Sequence, residues 1–181
     1  MGLSVVSGVK TTKSIITAGV FTAVLIGAQL ALSGVAGVEI VTVLLLSFCY
    51  RCGVKQGMLV VNAFTLLRCF VFGFFPNVMV LYFVYYNLFA AVFGLIGGAF
   101  KRVYGVRKHI VVVIVAVVMT ALLTVADNII TPVMYGFTLN AAKAYWIASV
   151  YTAVPQMLCS LVTSLLLFPP LLKFMQTSKI E

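Results

Sequence analysis

Six apolar runs, each of helix length and each closed by a basic cluster or by a Gly, Pro or Asn break, constrain this chain more than any other feature. They fall near residues 14–35, 38–51, 54–74, 77–99, 108–131 and 141–173. A helix needs about 20 mainly apolar residues to cross hydrocarbon. A chain of 181 residues therefore holds at most about six or seven spans with short loops. The second run is short for a span and is expected to be tilted or partly re-entrant. With 64% hydrophobic and 8% charged residues the chain has almost no solvated surface to offer. The expectation is an all-α integral membrane protein: one six-transmembrane-helix bundle over residues 1–181, with no internal repeat or linker and no room for a soluble catalytic domain or an ATPase. The first run follows Lys10 and Lys13 as in a signal peptide, but it is long and more spans follow, so it reads as a retained helix.

A net charge of +9 would point to nucleic acid in a soluble protein. Here the basic residues sit in short clusters between apolar runs, which excludes a continuous nucleic-acid face and fits the positive-inside rule. Lys10 and Lys13 precede run 1, Arg51 and Lys55 separate runs 2 and 3, Lys101, Arg102, Arg107 and Lys108 separate runs 4 and 5, and Lys173 and Lys179 follow run 6. Only Arg68 and Lys143 break the alternation. The basic side is thus expected to be cytoplasmic, with both termini on it, in a multi-pass protein of the cell membrane.

Arg68 lies inside "FTLLRCFVFG", a segment otherwise fit only for hydrocarbon. At 1.5 Å per residue from Val54 it stands roughly 20 Å up its helix, in the expected outer half. The same topology brings Glu39 and Asp127, the only acids besides Glu181, to that level. An arginine at membrane depth costs about 3 kcal/mol or far more when unpaired. It must either pair with Glu39 or Asp127, or face a cavity where its fork of donors meets a ligand's carboxylate, phosphate or carbonyl; the two are compatible.

Polar and aromatic residues gather at this depth. Asn77 opens run 4, and in "LYFVYYNLF" Tyr82 and Tyr86 share a helix face, flanked by Tyr85 and Asn87. Tyr135, Tyr145 and Trp146 read as an interfacial aromatic belt. Tyr82, Tyr86, Asn87, Asn128 and Gln156 lie deeper and are pocket candidates. Such a lining suits a flat, hydrogen-bonding small molecule.

In run 1, Gly19, Ala23, Gly27 and Ala31 recur every fourth residue. This smooth stripe serves either packing within the bundle or docking of a partner helix. The C-x-x-C of Cys49 and Cys52 has neither a second pair nor a nearby histidine, His109 being far along the chain, so no metal site is expected. No nucleophile with a base, no close carboxylate pair and no phosphate-binding loop appears. The chain is not expected to be an enzyme or to carry a cofactor.

Runs 2 and 3, "GVEIVTVLLLSFCYRCGVKQG", the aromatic fourth run, "DNIITPVMYGF", and "YTAVPQMLCSLVTSLLLFPPLL" with its Pro169, Pro170 pair resemble the substrate-binding S components of energy-coupling factor (ECF) vitamin transporters. The resemblance covers nearly the whole chain. It implies a vitamin or related micronutrient bound in an outward-facing pocket, and partnership with a membrane coupling protein and two cytoplasmic ATPases. It also implies that Gly19, Ala23 and Gly27 stand where the family carries an A-x-x-x-A docking motif, with glycine replacing alanine at two positions. Gly34, Gly37 and Glu39 would lie near the pocket's lid. The implied substrate ranges from a corrinoid to flat heterocycles such as deazapurine precursors, pyridoxal-like vitamins or pterins. Two other classes stand beside this one. A stand-alone proton-coupled secondary transporter would use Asp127 or Glu39 as its proton site, and a purely structural membrane subunit would leave Arg68 without a role.

Overall fold

The computed structural model describes residues 3–34 and 40–177, with side chains from Thr12 onward. These residues form six α-helices and, among the described residues, no strand: α1 Leu3–Leu32, α2 Val41–Cys52, α3 Val54–Phe72, α4 Pro76–Ala99, α5 Val106–Met134 and α6 Leu139–Thr177. Five of them, all but α2, are long and apolar enough to cross a membrane, as in a multi-pass membrane protein. Their outer surfaces carry bare apolar side chains such as Phe70, Val133 and Ile147, which suit hydrocarbon rather than water.

One helix differs from the sequence expectation, and a second has a placement that the sequence did not show. Helix α1 begins at Leu3 rather than near Ser14, because nothing in the polar lead "LSVVSGVKTTK" breaks a helix; its apolar part, from Thr12 on, matches the expected run. Helix α2 has 12 residues, about 18 Å of rise, short for a span as expected, and it is the centre of the bundle. It packs on α1, α3, α4 and α6. Every residue from Val41 to Tyr50 except Leu44 is buried. A helix apolar on all sides can be coated by lipid or by protein, and α2 is coated by protein.

Small residues set how closely this centre packs. A Cβ on Gly97 of α4 would run into the Tyr50 carbonyl, and one on Gly94 would lie 2.5 Å from the Val54 nitrogen. One on Gly57 would meet Cys49 Sγ at 2.8 Å and Ala90 Cβ at 3.2 Å. The corner between α2 and α3 is Gly53, whose φ of +89° disfavours any residue with a Cβ. The small-residue seam of the bundle is therefore Ala90, Gly94 and Gly97 of α4 against the α2–α3 corner. It is not the α1 stripe: Gly19, Ala23, Gly27 and Ala31 are all exposed, and a Cβ on Gly19 or Gly27 would meet nothing within 4 Å. Helix α1 holds to the bundle by the adjacent face, with Ala18, Phe21, Thr22 and Leu25 buried and the Phe21 ring stacked 4.3 Å from Phe48. Packing within the bundle, one of the two roles open to the stripe, is thus ruled out.

The basic loops meet at one end. The Tyr50 hydroxyl donates to the Val103 carbonyl at 3.1 Å, Gln176 Nε2 donates to the Arg102 carbonyl at 3.1 Å, and Lys108 Nζ donates to the Phe100 carbonyl at 3.0 Å. The polar cavity described next lies toward the other end, between the end of α3, the start of α4 and inner turns of α5 and α6.

Candidate functional site

Arg68 stands one turn before the end of α3, half-buried. Its guanidinium carbon lies 4.5 Å from the centre of the Tyr82 ring and 5.3 Å from that of Phe72. Phe72 is four residues on along α3, and Tyr82 comes from the second turn of α4, so two helices hold the cation between aromatic faces. That contact replaces part of the lost hydration but uses none of the five N–H donors. Nε is buried without a hydrogen-bond partner, and among the described residues Arg68 forms no ion pair. One turn back, the buried Thr65 hydroxyl also lacks a partner. Buried polar atoms are nearly always satisfied, so these two, one helical turn apart, are exceptions to that rule.

Arg68 faces a cavity of about 260 Å³ lined by residues of α3, α4, α5 and α6. Asp127 and Thr124 of α5 and Ser149, Thr152 and Gln156 of α6 form its polar wall; Tyr82, with Val78, Leu81 and Leu123, forms the apolar one. Four of the eight expected binding residues, Arg68, Tyr82, Asp127 and Gln156, thus come together around one space.

Asp127 is held from two sides. Oδ1 accepts from the Thr131 hydroxyl at 2.6 Å, and Oδ2 accepts from the Tyr145 hydroxyl at 2.5 Å. Thr131 in turn accepts from Asn77 Nδ2 at 3.1 Å, whose Oδ1 accepts from the Tyr135 hydroxyl at 3.1 Å. This network links α4, α5 and α6 at the cavity's rim. Tyr135, Tyr145 and Trp146 therefore do more than form an interfacial belt: the two hydroxyls belong to the network, and Trp146 Nε1 donates to the Asn128 carbonyl at 2.7 Å.

Of the other four expected residues, three are placed elsewhere and one is not among the described residues. Glu39 lies outside the described residues, as does Gly37; Gly34, at the end of α1, is exposed. Asn87 is turned to α3, donating to Asn62 Oδ1 at 2.8 Å and to its own helix at the Phe83 carbonyl. It bolts α3 to α4 and does not line the cavity. Tyr86 is buried in an aromatic cluster, edge-on to Tyr82 at 4.7 Å and to Tyr85 at 5.1 Å; it backs the Tyr82 wall without reaching the space. Asn128 donates to Ser149 Oγ at 2.8 Å, while its buried Oδ1 has no partner.

The site residues not foreseen are hydroxyls: Thr124, Ser149 and Thr152. Their signal was periodic. Ser149, Thr152 and Gln156 follow i, i+3, i+7 along α6, and Thr124 and Asp127 follow i, i+3 along α5, so each set shares a face.

No family model, no curated protein and no solved structure matches this chain. The chemistry is therefore argued from the cavity alone. It offers one cation with unspent donors, one anion whose oxygens keep further acceptor capacity, a flat aromatic face, and several hydroxyl and amide groups. Among the described residues no group of three His, Cys, Asp or Glu side chains could hold a metal, and all four cysteines are free thiols. This lining suits binding and release of a small polar molecule.

Proposed function

We propose that this chain is the substrate-binding subunit of an ECF-type importer, capturing a vitamin or related micronutrient from outside the cell membrane. A membrane coupling protein and two cytoplasmic ATPases would drive its uptake. The observation that carries this reading is Arg68: a half-buried guanidinium, backed by Tyr82 and without a protein partner among the described residues, facing a polar cavity inside an otherwise apolar bundle. A structural ion pair with Asp127 would have used the donors that Arg68 leaves open. The uncovered α1 stripe of Gly19, Ala23 and Gly27 supports the partner half of the reading, because a smooth face lets another helix approach closely. In this reading both termini and the basic loops face the cytoplasm and the cavity faces out. At about 260 Å³ the cavity lies below the usual range of roughly 300–1,000 Å³ for drug-sized ligands. That favours a small flat heterocycle over a corrinoid.

The test is gentle purification followed by reconstitution. An importer subunit brings the coupling protein and the ATPases with it and gives uptake only in their presence, driven by ATP. Concentrative uptake by the chain alone in liposomes, driven by a pH gradient, would instead establish the stand-alone proton-coupled carrier.

A further inference from the structure

Among the described residues Arg68 and Asp127 are the cavity's only charged lining residues, they stand on different helices, and they do not pair with each other. Buried opposite charges normally neutralise one another or become costly. Here the cation is steadied by two aromatic rings and the anion by two hydroxyls, so each is kept in place without the other. The described lining thus carries one positive and one negative pole on different helices.

From this we infer that the ligand is a small dipolar molecule: a carboxylate that meets the Arg68 guanidinium, a flat ring against Tyr82, and an N–H donor group that meets Asp127 on the opposite wall. The inference rests on the reading of this cavity as the capture site. A carboxylate has the planar two-oxygen edge that matches a guanidinium fork. A phosphate monoester is disfavoured because it would bring close to two negative charges into a cavity with one cation and one anion. A neutral carbonyl ligand could accept from the guanidinium, but it brings one acceptor oxygen and no charge to match the cation's two-donor fork. Size narrows the class again. With each water occupying about 30 Å³, 260 Å³ holds about nine waters, enough for a single ring with two substituents.

The experiment uses the full-length protein in detergent with a matched set of probes: 4-aminobenzoate, 4-aminobenzamide and 4-aminophenyl phosphate. The single tryptophan, Trp146, is bonded to the backbone of Asn128 beside Asp127 and reports binding by its fluorescence. Thermal unfolding gives a second readout. The carboxylate is expected to bind, with the amide and the phosphate ester each weaker by about tenfold or more, the loss expected for one charge-assisted contact. In Arg68→Gln the preference for carboxylate over amide should vanish. The wild-type comparison needs no variant, so a misfolded Arg68→Gln does not block the test. Equal binding of acid and amide, tighter binding of the phosphate ester, or no binding of the carboxylate at millimolar concentration would each overturn the inference. Carboxylate preference in a protein that assembles with no ATPase would keep the ligand class and remove the importer reading. ATPase assembly without carboxylate preference would do the reverse.

Discussion

The guanidinium carbon of Arg68 sits 4.5 Å from the centre of the Tyr82 ring, across the α3–α4 interface. The ring face attracts the cation but accepts no strong hydrogen bond. The guanidinium is therefore fixed in direction while its N–H groups stay available. Removing the ring should free Arg68 to turn toward Asp127 and cancel the two charges. Tyr82→Leu is expected to weaken ligand binding by about two- to thirtyfold, corresponding to roughly 0.5–2 kcal/mol of lost orientation. Equilibrium titration with 4-aminobenzoate measures this, and unchanged affinity would show that the ring does not set the arginine.

Asp127 links α5 to α6 through the Tyr145 hydroxyl at 2.5 Å and reaches α4 through Thr131 and Asn77. Tyr145→Phe removes one donor to a carboxylate. In water such a bond contributes about 1.5–3 kcal/mol, but polar contacts between helices in a bilayer average only about 0.6 kcal/mol. A loss of about 1 kcal/mol is expected at this rim position. A double-mutant cycle with Asp127→Asn should show coupling; strictly additive losses in thermal unfolding would mean that the two side chains do not act as one unit.

The contrast between Gly97 and Gly19 is not visible in the sequence, where Gly19 belongs to a stripe open to packing or docking and nothing marks Gly97 out. A Cβ on Gly97 would enter the Tyr50 carbonyl, while one on Gly19 would meet nothing. Gly97→Ala must push α4 away from the α2–α3 corner, so it should cost about 1–3 kcal/mol or more, as overpacking of a tight core does. Gly19→Ala should be neutral or slightly stabilising, because alanine favours helix over glycine by about 1 kcal/mol. Unfolding midpoints of the two variants test the pair, and equal shifts would contradict this account of the seam.

The apolar runs made the helix order legible, because helix punctuation by Gly, Pro and basic residues is local. The role of α2 was not legible, since a run that is apolar on all sides reads the same under lipid as under protein. At the site, Arg68, Tyr82, Asp127 and Gln156 were legible as costly or functional groups at a common depth. Depth does not set azimuth. Asn87 is five residues past Tyr82, roughly 140° around the helix, and so faces Asn62. Asn128, one residue past Asp127, is turned about 100° away and finds Ser149. The hydroxyls of Thr124, Ser149 and Thr152 were overlooked because they are tolerated in apolar helices, where they can bond back to their own backbone, as Thr152 does to the Ser149 carbonyl at 2.9 Å. Only their spacing relative to Gln156 and Asp127 set them apart.

Ala23 lies midway along the α1 stripe, exposed and flanked by the exposed glycines Gly19 and Gly27, while Phe21, Thr22 and Leu25 take the bundle side. A leucine at position 23 would project from the bundle without touching it, so Ala23→Leu should fold with an unchanged unfolding midpoint and bind 4-aminobenzoate as the wild type does. Between two helices that approach along small residues, the same side chain would hold their backbones apart and forfeit close packing. Assembly with the coupling protein and ATP-driven uptake should therefore both fall steeply, by about tenfold if the lost packing is worth roughly 1.4 kcal/mol. Copurification and vesicle uptake measure this against the ligand-binding control. Wild-type uptake in Ala23→Leu would remove the stripe from the docking face and leave it as a lipid-facing surface.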